Sequence, residues 1–177
     1  MTRPPFDAPS PEDIATVSRQ LGRPARDVVG IAARCVCGAP TVVSTRPRLS
    51  DGTPFPTFYY LTHPAATAAV STLEAEGQMP GFASLLVGEV ADQYRAAHEQ
   101  YIADRESIAV VDEVAGISAG GMPDRVKCLH ALVGHALAAG PGVNPIGDLA
   151  LERSAWSPLV CECVPEVSTV STSAEAS

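Results

Sequence analysis

Thr57-Phe58-Tyr59-Tyr60-Leu61-Thr62-His63-Pro64 is the stretch on which the fold turns. Its first six residues are aromatic or β-branched apart from one leucine, the composition of a strand. Phe58 and Tyr60 fall on one face, Tyr59 and Leu61 on the other, so the strand is expected at the centre of a sheet, covered on both sides. His63-Pro64 then ends it: proline fixes the φ of a first helical turn, with His63 at the N-cap. Strand patterns precede this point and helical patterns follow it.

Towards the N-terminus, Val28 to Arg34 and Thr41 to Thr45 are runs rich in β-branched residues. Cys37-Gly38-Ala39-Pro40 lies between them, which reads as a hairpin. Asp51-Gly52-Thr53-Pro54 is a turn. Ser10 followed by Pro11-Glu12-Asp13 is a helix start, and that helix should run to Leu21 and stop at Gly22. Residues 1–10 are Pro-rich and are expected to be loose.

Towards the C-terminus, Pro64 to Glu76 is Ala-rich and meets no breaker before Gly77. Phe82, Leu85, Leu86, Val90, Tyr94 and Tyr101 make a helical stripe, read as one helix from Gly81 to Arg105. Residues 107–114 fit a helical extension or a short strand, and Gly116 to Gly121 a flexible loop. Pro123 to Ala139 reads as one helix ended by Gly140. Asn144-Pro145 starts a short final helical turn. The Ser/Thr/Glu-rich tail, residues 165–177, is read as disordered. The expectation is a single α+β domain over residues 11–164, a small antiparallel sheet from the N-terminal third packed on a C-terminal set of helices.

With 177 residues, 46% hydrophobic and 18% charged, the chain has material for one substantial core. A net charge of -8 argues against nucleic acid and anionic membrane as general partners. No apolar run is long enough to span a bilayer, and the N-terminal stretch lacks the apolar segment of a secretory signal. Cytoplasmic placement is therefore expected, and five cysteines there point to thiols or metal ligands rather than a disulfide frame. The basic residues crowd into the N-terminal third, where Arg23, Arg26, Arg34 and Arg46 could hold a small anionic ligand. Their alternative is to decorate a sheet edge and pair with the acidic remainder.

The chemistry-bearing residues concentrate in Gly120-Gly121-Met122-Pro123-Asp124-Arg125-Val126-Lys127-Cys128-Leu129-His130, continued to His135. On one regular helix, Cys128 and His135 superpose in angle but sit about 10.5 Å apart along the axis. Cys128 and His130 point roughly 160° apart. Neither pair could then chelate one ion, so any site needs ligands from elsewhere. Cys35 and His63 are the candidates, one at a strand end and one at a helix start that keeps imidazole neutral. This gives a metal set of Cys35, His63, Cys128 and His130, with His135 as alternative. Zinc is the expected ion, and an iron–sulfur cluster is the lesser variant. Three protein ligands plus water would suit a hydrolase; four would only tie sheet to helices.

Other readings stand beside it. Cys35 and Cys37 share a strand face, Cys161-Glu162-Cys163 repeats the spacing, and four such thiolates make a tetrahedral zinc site. That set ranks lower here, because Cys161 and Cys163 adjoin the tail. Cys128 could instead be the nucleophile of a thiol enzyme, with His130 or His135 as base and Arg125 and Lys127 lowering its pKa. The two-residue spacing opposes direct contact between Cys128 and His130. Finally, the Cys and His residues could all be core in a non-enzymatic scaffold or anion-binding module. Enzymatic activity is left open.

Several pieces together resemble the domain-of-unknown-function family numbered 501, common in actinobacteria. They are Gly22-Arg23-Pro24, Arg34-Cys35, the run from Asp51 to Thr57 continuing to Thr62, Lys127-Cys128-Leu129-His130, His135, and Asn144-Pro145 with Gly147. They cover roughly residues 20–150. The resemblance implies no established activity. Its genes' frequent neighbours, an exopolyphosphatase-like and a septum-formation protein, hint at phosphate metabolism or the cell envelope. The family often has cysteine where His63 stands; histidine there keeps metal chemistry and weakens a redox pair.

Overall fold

Ser10 accepts the N–H of Asp13 while the Asp13 carboxylate accepts the N–H of Ser10, a reciprocal cap that starts α1 (Pro11–Leu21). Gly22, at φ 66°, ends it where the sequence placed the stop. The computed structural model describes residues 7–163. The expectations of a loose chain over residues 1–6 and a disordered tail lie outside the described residues. Asp7 bridges to β1, its carbonyl accepting the Ile31 N–H at 2.9 Å.

Strands β1 (Val28–Arg34) and β2 (Pro40–Thr45) form the expected antiparallel hairpin, and β3 (Tyr59–Leu61) adds antiparallel to β2. The order β1-β2-β3 corrects one expectation. The Tyr59 strand is an edge, and the central strand is β2, buried at all six positions. Two layers cover β2. Val43 and Ile31 meet Val17 of α1 on one face, while Val42, Tyr59 and Leu61 face the helical layer on the other. Both faces of β3 are covered as expected, Tyr59 and Leu61 by the helical layer and Tyr60 by the Val17, Ile31 and Val43 cluster, although the strand itself is an edge.

The helical layer comprises α2 (Pro64–Ala75), α3 (Met79–Ala83), α4 (Gly88–Glu106), α5 (Leu129–Ala139) and α6 (Pro145–Arg153). The architecture is α+β, with the sheet N-terminal and the helices mostly C-terminal. The single helix expected from Gly81 to Arg105 is two, because the chain turns at Ser84–Val87 and Gly88 takes φ 54°. Residues 107–114 form no strand; they run irregularly into a 3-10 turn at Asp112–Val114. The last helical turn is a nine-residue helix, capped by the Asn144 side chain on the Gly147 N–H at 2.9 Å.

The largest correction concerns the motif helix, which starts at Leu129 and not at Pro123. Gly120 accepts the N–H groups of both Lys127 and Cys128, and Gly121 accepts that of Arg125. These bonds fold residues 120–128 into turns. Gly121 sits at φ 96° with the Arg125 carbonyl 2.6 Å from where a Cβ would stand, so no other residue fits the knot. Cys128 consequently has extended geometry, φ -151° and ψ 108°, as the N-cap of α5. It is off the helix, and the angular argument that separated it from His130 no longer applies.

Helices α5 and α6 approach closely. A Cβ on Gly147 would lie 2.3 Å from the Leu132 carbonyl oxygen and 2.8 Å from Ala136 Cβ. Helix α5 also packs directly on β3, where a Cβ on Gly134 would stand 3.4 Å from the Tyr59 carbonyl oxygen.

Candidate functional site

The β1–β2 turn carries Cys35 and Cys37. Cys35 N–H donates to the Ala39 carbonyl and Gly38 N–H to the Cys35 carbonyl, 2.9 and 2.8 Å, which curls the chain so that both thiols face one point. The segment after α6, which turns at residues 158–160, brings Cys161 and Cys163 to the same place. All four Sγ atoms lie within 4.8 Å of one another, an arrangement able to hold a metal ion. Cys37 Sγ and Cys163 Sγ are 3.3 Å apart, well beyond a disulfide bond, and all four are free thiols. The Ala39 N–H pulls Cys37 down to about 7. Burial pushes Cys35 and Cys163 up. Four thiols so close cannot all ionise without a cation among them.

His63 stands behind this group. Its Nδ1 accepts the Ala66 N–H at 3.4 Å as the cap of α2, which leaves the proton on Nε2, 3.2 Å from Cys163 Sγ. The ring is fully buried and packs on Trp156 at 5.3 Å between centroids. Burial lowers its pKa, so it is neutral and donates an N–H···S hydrogen bond.

A second group forms at the start of α5, where Glu74, Cys128 and His130 each bring one ligand atom within 4.8 Å of the others. Glu74 Oε1 accepts the Leu129 N–H at 2.7 Å and lies 3.3 Å from His130 Nδ1. His130 Nε2 is 3.2 Å from the Thr67 carbonyl and 3.1 Å from Ser71 Oγ. The contact with His130 lowers the Cys128 pKa, and the same contact raises that of His130. Cys128 and His130 line a cleft of about 730 Å³ between the Gly116–Gly121 loop and β3, and Glu74 stands behind them.

The set expected from the sequence is thus divided. Cys35 belongs to the four-thiol group and His63 touches it through Cys163, whereas Cys128 and His130 belong to the other. Neither group joins Cys35 to Cys128. His135 is in neither: it is buried in the core, stacked on Tyr59 with centroids 5.6 Å apart, and bonded through Nδ1 to Asn144 at 3.1 Å. Nor do the four arginines converge. Arg34 is tied to Asp13 at 2.7 Å and Asp7 at 3.0 Å. Arg23 and Arg26 edge a smaller cleft that also carries Asp27 and Asp51, and Arg46 is exposed.

Glu74 escaped the sequence reading, although a signal was present. Thr67, Ser71 and Glu74 follow the i, i+4, i+7 spacing of one helix face, a polar stripe on an otherwise Ala-rich helix. Trp156 carried no local signal.

A family model described as "Protein of unknown function (DUF501)" matches residues 31–152, and the chain belongs to that family. The match includes Cys35, Cys37, Glu74, Cys128 and His130 and ends before Cys161 and Cys163. No curated protein and no solved structure matches the chain. Among the described residues, no helix is long and apolar enough to cross a membrane.

Proposed function

We propose that this member of the DUF501 family is a zinc protein, with one ion held by Cys35, Cys37, Cys161 and Cys163. The observation that carries the reading is the mutual approach of four Sγ atoms to within 4.8 Å. Zinc–sulfur bonds of about 2.3 Å place tetrahedral thiolates about 3.8 Å apart, which fits that spacing. An iron–sulfur cluster separates its irons and so spreads its thiolates wider, which favours a single ion. Four protein ligands leave no position for water, so the ion would be structural and not hydrolytic. Its role would be to fasten the segment after α6 to the β1–β2 turn. Neutral His63, donating to Cys163 Sγ, is the kind of outer partner that orients a metal thiolate.

Metal analysis of the untagged protein tests this. One equivalent of zinc is expected, lost in Cys37→Ser and in Cys163→Ser and retained in Cys128→Ala. Absence of metal from the wild-type protein, or its loss only in Cys128→Ala, would sink the proposal.

A further inference from the structure

The four-thiol site leaves Cys128 unexplained, and its surroundings are those of a worked nucleophile. We propose that Cys128, His130 and Glu74 form a second, catalytic site that transfers the acyl group of an anionic ester or thioester through a Cys128 thioester. It is independent of the zinc reading, since the two groups share no residue.

Three observations carry it. First, His130 meets an oxygen acceptor at each ring nitrogen, Glu74 Oε1 at Nδ1 and the Thr67 carbonyl at Nε2. Protons on both nitrogens satisfy that arrangement, so the imidazolium stands beside Cys128 and stabilises its thiolate. Glu74, itself fixed by the Leu129 N–H, orients the ring as a third member does in such groups. Second, Cys128 is the N-cap of α5, which sets it at the positive end of that helix, where a thiolate is favoured. Third, the cleft has the volume of a small-molecule site. No Asp or Glu lines it; Arg125 and Lys127 do, in a chain of net charge -8. Tyr60 and Ile117 add apolar wall. An anionic group joined to an apolar acyl part fits that lining.

The local backbone decides between acyl and phosphoryl transfer. A phosphoryl group needs a nest of N–H donors for three oxygens, but those of Arg125, Lys127 and Cys128 are spent on Gly120 and Gly121. At the helix start, Leu129 N–H serves Glu74. The His130 and Ala131 N–H groups have no intrahelical acceptor at those positions, and two such donors suit a single carbonyl oxyanion. In the step, Cys128 Sγ attacks the carbonyl carbon and the carbon–sulfur bond forms. The bond to the leaving oxygen or sulfur breaks, and that atom takes its proton from His130. Water then attacks the thioester, gives one proton to His130, and releases the carboxylic acid and the Cys128 thiolate.

The test uses iodoacetamide, iodoacetate and the p-nitrophenyl monoester of a dicarboxylic acid on the zinc-loaded full chain, with adducts mapped to Cys128 by peptide mass. Between pH 8 and pH 6 an ordinary thiol loses about 75-fold in alkylation rate. Cys128 is expected to lose less than about fivefold, and His130→Asn to restore the ordinary profile. Iodoacetate should outpace iodoacetamide, and that preference should fall about fivefold in the exposed double variant Arg125→Ala, Lys127→Ala, which leaves the fold intact. The nitrophenyl ester should leave its acyl group on Cys128. An ordinary pH profile in the wild-type protein, no acyl adduct, or a Cys128 that reacts only after a chelator removes a second metal ion would each overturn the proposal.

Discussion

His63 Nε2 lies 3.2 Å from Cys163 Sγ, joining the cap of α2 to a thiol a hundred positions further along the chain. Because the Ala66 N–H occupies Nδ1, the imidazole can only donate to that sulfur. The bond ties the start of the helical layer to the thiol group on the hairpin.

His63→Ala should therefore leave one zinc equivalent bound while weakening its affinity about 10- to 100-fold, measured by competition with a chromophoric chelator. Trp156, the single tryptophan, reports on the same contact because its ring packs on His63. Removal of the proposed zinc by a chelator should shift its emission to the red. An unchanged affinity in His63→Ala would show that the sulfur does not use the donated proton.

Tyr101 supports the sheet edge from inside the core. Its hydroxyl oxygen accepts the N–H groups of Phe58 at 2.6 Å and Tyr59 at 3.2 Å. Tyr101→Phe keeps the ring and removes the buried oxygen that both N–H groups share, so it should cost about 2 kcal/mol. The midpoint of urea unfolding reads this directly, and a loss under about 0.5 kcal/mol would mean that the two amides find other acceptors.

Gly147→Ala tests the α5–α6 contact. The added Cβ would overlap the Leu132 carbonyl oxygen, which is helix backbone and cannot swing aside. A loss of about 3 kcal/mol or more is expected in thermal or urea unfolding, against the slight gain that alanine brings at an open helical position.

Acid stability should depend on Asp13. Its hydrogen bond to the Arg34 guanidinium holds the carboxyl well below the usual range. A depressed folded pKa means that the stabilisation is fully present above the unfolded value of 3.8 and is lost as pH falls through the folded value. Asp13→Asn should lower stability by about 2 kcal/mol at pH 7. The difference from wild type should shrink steadily below pH 3.8. A constant difference down to pH 2 would assign the effect to capping and not to the ion pair.

The elements were legible where the signal is local. Ser10 with Asp13 set the start of α1, Gly22 its end, and Pro64 the change from strand to helix, because caps and fixed dihedrals act within a few residues. The motif helix was misjudged because Gly120 and Gly121 use their carbonyls to fold the next turns, which a 3.6-residue period cannot register. That error also hid the Cys128–His130 contact.

Local signals were enough to specify the α+β order of elements, the β1–β2 hairpin, the capping role of His63 and the stock of thiols and imidazoles. Which of them meet depends on the packing of distant elements. Cys37 finds Cys163 across 126 positions, and Glu74 finds His130 across 56. The same holds for β2, made central by α1 on one face and the helical layer on the other. Local periodicity tells which way a side chain points along its own element. The partner across the gap is set by how the layers close over the sheet, and that is a property of the whole core.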